Sequence, residues 1–476
     1  MLQHSLTSKR KRLKLSTLWL VCLCLNLAVA ACGEASPTAQ PTSIPKAVRT
    51  TATVAATTVN VTTAVAMKIE PPAVINLAEA KKYSGVKLNF YGDAVGDGTE
   101  QDQGLAAKFQ ADTGIIINVI PKPDSATETY AAYQRMFQSQ SPDVDVLVLD
   151  VIWPGAFANN LVDLKPKLGD TTKLHFESII ENNTVNDKLV AMPWFGDFGI
   201  LYYRSDLLQK YGFAKPPETW DELQTMALKI QAGEKTGNPN FAGFVFQGQA
   251  YEGLTCNALE WLASSGGGQI VENGKSTINN PAAIKALNRA RSWIGTIAPS
   301  GVTAYKEEDG RNLFDAGNAA FMRNWPYAYA ISNNPDTSKV VGKFDVAPLP
   351  HDPGQKSVGT VGGWQLGVSK YSKNQDAAIE FVRYVTSAEA QKWHALIGSY
   401  VPTIKTVAAD PDVIKVEPFL AKLQDVVRVA RPSRSTGVNY NEVSTIFFQA
   451  VNQVWQGKDA TQVLPDLDKQ VQALLH

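Results

Sequence analysis

The chain has 476 residues, 44% of them hydrophobic, and balances 45 basic against 45 acidic side chains. Five of the basic residues and none of the acidic ones lie in the first 31 positions, which leaves 40 basic against 45 acidic, or about −5, for the remainder. That balance argues against a nucleic-acid partner, which usually leaves a strongly basic chain.

Lys9, Arg10, Lys11, Arg12 and Lys14 precede an apolar run from Leu15 to Ala31 that only Ser16, Thr17 and Asn26 interrupt. A basic start, an apolar middle and a small-residue end make residues 1–31 a secretory signal. The competing reading, a membrane-spanning helix, fits less well, because the run is short for a bilayer and ends in small residues rather than charge. Val29-Ala30-Ala31-Cys32 resembles a bacterial lipobox, in which Cys32 becomes the lipidated first residue of the mature chain. Of Cys22, Cys24, Cys32 and Cys256, two leave with the signal and one would be acylated, so no disulfide framework is possible in the mature monomer. A large hydrophobic core must hold the fold instead.

From Gly33 to about Ser84 the chain is Thr, Ala, Val and Pro with few charges and one aromatic residue. Such a composition assembles no packed core, so residues 32–84 are expected to be a disordered tether. As a flexible chain of roughly 50 residues it would span roughly 40 Å. About 390 residues follow, enough for two lobes on length alone.

Beyond residue 85 strand and helix patterns alternate. "VKLNFYG" (86–92) predicts a strand, "GLAAKFQADTG" (104–114) a short helix stopped by Gly114, and "IIINVIP" (115–121) another strand. Tyr130, Tyr133 and Phe137 recur at helical spacing, and "VDVLVLD" (144–150) is a nearly continuous apolar run. The pattern predicts an α/β fold with parallel strands buried on both faces. Thr219 and Glu222 form a capping box that starts a helix with Leu223, Met226 and Ile230 on one face, and Thr386 with Glu389 repeats the device in a helix ending near Gly398. Ligands of α/β sheets bind outside the carboxyl ends of strands, which directs attention to Tyr91–Glu100, Asp150–Trp153 and Trp194–Asp197.

Catalytic and cofactor motifs do not occur: there is no G-x-S-x-G, H-E-x-x-H, C-x-x-C, P-loop or G-x-G-x-x-G. The five histidines are scattered, and no metal or cofactor is implied. "DAVGDGTEQDQG" (93–104) offers acids at several positions of a calcium loop, but Val95 and Gly104 stand where ligands belong. A glycan-active hydrolase using Asp150, Asp197 or Glu252 stays open as an alternative, since carboxylate separation is not legible in a sequence.

Six segments set aromatic rings beside carboxylates, amides and arginine: "DVIWPG", "MPWFGDFGILYYR", "QAYEGLTCNALEWLASSGGG", "MRNWPYAYA", "VGGWQLGVS" and "RPSRSTGVNY". Each ring alone is as well explained by core packing. Together they suit sugars, whose C–H patches lie flat on aromatic rings while their hydroxyls need strong donors and acceptors. A receptor for a non-sugar solute, such as an amino acid or a polyamine, is the third reading.

At these segments, over nearly all of residues 86–476, the chain resembles the extracellular solute-binding lipoproteins of ABC sugar importers, particularly the trehalose/maltose-binding branch. The resemblance is strongest in "PDVDVLVLDVIWPGAF", "MPWFGDFGILYYRSDLLQKYG", "YEGLTCNALEW", "MRNWPYAY", "GGWQLGVSKYSKN" and "RPSRSTGVNYNEVSTIFFQAVNQVWQG". It implies a two-lobed periplasmic-binding-protein-like fold that closes by a hinge, with one lobe from 85–194 and 367–405 and the other from 195–366 and 406–476. It implies no enzymatic activity, a disaccharide ligand, delivery to importer permease subunits, and a monomer held outside a bacterial membrane by the anchor at Cys32. Carried over position by position, the ligand carboxylates fall on Asp97 or Glu100, on Asp150 and on Asp197. The aromatic pair falls on Trp325 and Tyr327, the G-G-W element on Gly363 and Trp364, and the late arginine and tyrosine on Arg434 and Tyr440, with Arg431 competing for Arg434's role. Phe195, Tyr251, Glu252 and Thr127 complete the expected site, although Glu252 could instead serve as a helix cap.

Overall fold

The run Val146–Asp150 is buried at all five positions because it lies inside a sheet rather than at its edge. The computed structural model describes residues 69–475; the expected signal, Cys32 and the expected tether up to residue 68 lie outside the described residues. In chain order the strands used below are β1 (Lys87–Gly92), β2 (Ile116–Pro121), β3 (Val146–Asp150), β4 (Met192–Phe198), β5 (Ile200–Tyr203) and β6 (Ala242–Val245). They continue with β7 (Ala319–Asn324), β8 (Asp345–Ala347), β9 (Val358–Val368), β10 (Val401–Pro402) and β11 (Val427–Val429). One sheet has the order β10-β4-β9-β3-β1-β2, with β11 added to β9, and the other has the order β8-β5-β7-β6. The result is a two-lobed α/β fold with one sheet at the centre of each lobe.

The first sheet is mixed, not parallel throughout. β1 runs parallel to β2 and β3, but β9 runs antiparallel to both β3 and β4. The reason lies in the chain path: β4 leads out of the sheet into the crossing at Gly199 and β9 returns into it from the other lobe, so neither joins β3 through a β-α-β connection. β4 holds residues through Phe198 in the first sheet and β9 holds Val358 onward, so the expected lobe boundaries at 194 and 366 fall inside strands. Trp194–Asp197 likewise stands within β4, not beyond a strand end. Gly199 turns the chain directly from β4 into β5, and a Cβ there would collide with the buried Glu260 and Arg323 side chains.

Local signals account for several helices. Thr219 and Glu222 form the expected capping box, and Leu223, Met226 and Ile230 are buried along the helix Trp220–Glu234. The cap of the helix Ala388–Gly398 is Ser387, one residue after the expected Thr386, whose hydroxyl instead donates to the Val382 carbonyl one turn back. The helix stopped by Gly114, at φ 79°, begins at Gly98 and so takes in most of the acidic stretch read as a loop. Four tryptophans, Trp220, Trp293, Trp455 and, within the helix Glu252–Ala263, Trp261, are buried in the core of the second lobe.

Residues 69–84, expected in the tether, are ordered against the first lobe. Val74 and Ala80 are buried, the Trp393 indole donates to the Ile69 carbonyl, and the Tyr384 hydroxyl donates to the Pro72 carbonyl. The Asn76 amide donates to Glu380. Composition missed this strap because its partners are remote helices. Truncation to begin at Val86 is expected to lower the melting temperature by about 3–6 °C relative to a chain beginning at Ile69, measured by calorimetry.

Candidate functional site

Three neighbouring strands set the first wall of a cavity between the lobes. In the register of β3, β9 and β4, Trp364 stands opposite Asp150 on one side and Phe195 on the other, while Gly363 faces Gly196 and Gly362 faces Asp197. Gly363 has φ 117°, and a Cβ there would lie 2.7 Å from the Phe195 carbonyl, so both the backbone angle and the space require glycine. The register shifts between Trp364 and Gln365, a bulge of the kind that re-aims a side chain. Trp153 meets the Trp364 ring edge to face at 5.9 Å and supports it from the core.

A buried ionic clasp closes the cavity at the crossing segment after β11. Arg431 holds Asp150 in a two-pronged contact, with Nη1 at 3.0 Å and Nη2 at 2.5 Å, and Nη1 also reaches Glu252 at 2.9 Å. Asp150 belongs to the first sheet, and Glu252 to the first turn of the second-lobe helix Glu252–Ala263. Glu252 accepts further hydrogen bonds from the hydroxyls of Tyr440 and Ser444. Its backbone N–H donates to the Thr127 hydroxyl across the lobe boundary at 3.1 Å. Burial pushes the Glu252 carboxyl up, and the Arg431 charge opposes that shift.

The second wall is aromatic. Trp325 and Tyr327 follow β7, and Tyr251 precedes the Glu252 helix. Glu307 accepts from the Tyr251 hydroxyl at 2.6 Å and from the Trp325 indole at 3.3 Å, while Glu308 accepts from the Tyr327 hydroxyl at 2.6 Å. Each ring is thereby fixed by its polar edge, with its face left for other contacts. Gly96, at φ 59°, lets the Tyr327 ring come within 2.7 Å of where a Cβ would stand, and Lys306 pairs with Asp124 across the boundary at 2.5 Å. The lobes are therefore closed upon one another.

Of the expected residues, Asp150, Phe195, Asp197, Tyr251 and Glu252 line the cavity. So do Trp325, Tyr327, Gly363 and Trp364. Five others stand outside its wall. Asp97 and Glu100 lie exposed at the start of the helix Gly98–Thr113, and their place is taken by Asp93. Thr127 and Tyr440 act behind Glu252, as its acceptor and donor. Arg434 is exposed, 3.9 Å from Glu181, because the chain turns outward after Pro432; the buried arginine is Arg431.

Asp124, Glu307 and Tyr400 line the cavity without having been singled out, and Asp93 does so from inside the expected stretch Tyr91–Glu100. The strand-end rule, which took in Asp93 directly after β1, could also have found Asp124, three residues past the end of β2. Nothing local marks Glu307 or Tyr400. The Tyr400 hydroxyl and the Asp197 Oδ1 are both shut off from solvent without a hydrogen-bond partner. Burial raises the Asp197 carboxyl well above the usual range, reinforced by the neighbouring charge of Asp93 and opposed by that of Arg323. The arrangement offers flat rings from both lobes, unfilled polar positions and a paired guanidinium, and it contains no nucleophile held by a base. Among the described residues no group of His, Cys, Asp and Glu is arranged to hold a metal ion.

Residues 96–392 match the family model for bacterial extracellular solute-binding proteins. This chain belongs to that family. A probable ABC transporter-binding protein of Deinococcus radiodurans is 49% identical over 390 residues, covering 81% of this chain and 93% of its own. Among solved structures, maltose-bound T. maritima MalE3 is similar at 37% identity with a TM-score of 0.76, covering 82% of this chain and all of the other. An ABC transporter solute-binding protein from Thermotoga lettingae bound with alpha-D-tagatose shares the fold at 24% identity and a TM-score of 0.71, with coverage of 82% and 100%. Membership places this solute-binding protein outside the cytoplasm, and no helix among its described residues is long and apolar enough to cross a membrane.

Two outcomes test the geometry of this solute-binding protein. Arg431→Met, which leaves two buried carboxylates without their cation, is expected to cost about 3–5 kcal/mol in chemical denaturation, whereas Arg434→Ala changes stability by less than about 0.5 kcal/mol. The Asp197 carboxyl, raised in the folded state, contributes stability that is fully present below its unfolded value and is lost as pH rises through the folded one. Asp197→Asn should therefore match the parent near pH 4 and exceed it at pH 8, as read from thermal melts across that range.

Proposed function

We propose that this solute-binding protein captures a disaccharide of the maltose or trehalose type between its lobes and delivers it to the permease of an ABC importer. Lipid at Cys32, with the chain that follows, would keep it beside the outer face of the membrane that carries the importer. The observation that supports this most is the convergence of Trp364 from one lobe and Trp325 from the other on a cavity with unfilled polar positions at Asp197 and Tyr400. Sugar rings supply C–H faces for the tryptophans and hydroxyls for the carboxylates and Arg431. A site built to pair hydroxyls rejects analogues that lack them, because its buried polar groups would stay unpaired. The likeness to maltose-bound MalE3 agrees with the reading.

The cavity measures about 70 Å³, room for a few waters and not for a disaccharide. Capture therefore requires the lobes to part and close again around the sugar. Closure is favoured only by contacts that differ between open and closed states, which contacts from both lobes supply.

Titration calorimetry of the full chain with trehalose, maltose, sucrose and glucose tests the proposal. One-to-one binding of a disaccharide is expected, weakened by about 2–4 kcal/mol in Trp364→Ala, with no product formed. Silence with every sugar, or turnover of one, contradicts it.

A further inference from the structure

Both tryptophans of the cavity wall rest against a buried cation. The Lys122 Nζ lies 4.2 Å from the centroid of the Trp364 ring, and the Arg323 guanidinium carbon lies 3.9 Å from that of Trp325. Both cationic side chains are fully buried, and neither lines the cavity that the two rings face. Each cation therefore lies over one face of its ring and stands outside the cavity wall. The arrangement occurs once in each lobe: Lys122 directly follows β2, and Arg323 stands in β7.

Each cation is held by a carboxylate. Lys122 Nζ is 3.0 Å from Asp93 Oδ1, and Arg323 donates to Glu260 from Nε at 2.9 Å and from Nη2 at 2.5 Å. Glu260 also accepts from the Thr360 backbone at 3.1 Å, which ties the Arg323 pair to β9, the strand that carries Trp364. Burying a charge is costly even when it is paired, and an apolar side chain of similar volume packs behind a tryptophan without that cost. A cation over an aromatic face attracts the ring more strongly once water is excluded, and a planar guanidinium stacks on it. The shared feature is thus a device that fixes each ring and leaves one face free.

We propose that Lys122 and Arg323 are positioning residues for ligand recognition, each pinning one tryptophan so that its opposite face is a ready platform for the C–H face of a saccharide. This rests on the sugar-receptor reading given above. It adds that the orientation of each platform is set by a cation that does not itself touch the ligand.

The test uses the full chain labelled with 5-fluorotryptophan, whose resonances for Trp325 and Trp364 are assigned with Trp325→Phe and Trp364→Phe. Arg323→Met is expected to move or broaden the fluorine resonance of Trp325 and not that of Trp364, Lys122→Met to do the reverse, and each to weaken disaccharide binding at least tenfold. Leu287→Ala, in the second-lobe core, controls for lost stability and should bind as the parent does. Folded Met variants that bind within twofold of the parent, with both resonances unmoved, overturn the inference while leaving the receptor reading intact. If the Met variants do not fold, Arg323→Lys and Lys122→Arg retain the charge for Glu260 and Asp93; each should still move its own tryptophan's resonance alone, and unmoved resonances overturn the inference. A parent chain that binds none of the sugars removes the receptor reading, and this inference with it.

Discussion

A guanidinium sealed from water needs partners, and Arg431 takes them from both lobes. Asp150 comes from the end of β3 and Glu252 from the start of a second-lobe helix, while Arg431 itself sits on the segment that crosses between the lobes. The three groups must meet within hydrogen-bond reach, because a buried charge left alone costs several kcal/mol. That requirement fixes the separation of the two walls where Asp150, Arg431 and Glu252 line the cavity. The neighbouring elements follow from it: Tyr440, Ser444 and Thr127 saturate Glu252 from behind, and Trp364 lies beside Asp150 in the sheet.

The crossing segments carry the same logic outward. Gly199 joins β4 to β5 with no room for a side chain, since Glu260 and Arg323 occupy the space. Glu260 then grips β9 through Thr360 and Arg323 through its carboxylate, so the passage between lobes and the seat of Trp325 share one ion pair. A lobe movement that displaces β9 relative to the helix Glu252–Ala263 would strain that pair. Rings held by their edges and from behind, on rigid strands, make a preorganised surface that loses little freedom when a solute arrives.

Much of this was legible in the sequence, for physical reasons that differ by element. β3 and the helix Trp220–Glu234 are written in local periodicity and capping, so their type and place follow from adjacent residues. Asp150, Trp364 and Trp325 lie in segments that set aromatic rings beside polar groups, which is a local pattern, and the family resemblance supplied their roles. Asp97 and Glu100 were expected from the family resemblance, but the helix Gly98–Thr113 starts earlier than its apolar spacing shows and carries both acids to its exposed start, which leaves Asp93 at the cavity. Arg431 and Arg434 are three residues apart in one polar stretch, and only the turn after Pro432 decides which points inward. Tyr400 and the strap at residues 69–76 depend on contacts across hundreds of residues, and Glu307 on Tyr251 and Trp325 in other elements, which no local pattern encodes.

The central claim is that one solute sits between tryptophans of opposite lobes against the Arg431 clasp. A crystal structure of the full chain grown with a disaccharide tests it most directly. The account predicts sugar between Trp325 and Trp364, with hydroxyls on Asp197 and on the Asp150–Arg431–Glu252 cluster. Sugar bound elsewhere, or a cavity in which Arg431 swings away from both carboxylates to leave the ligand in contact with one lobe only, would contradict it.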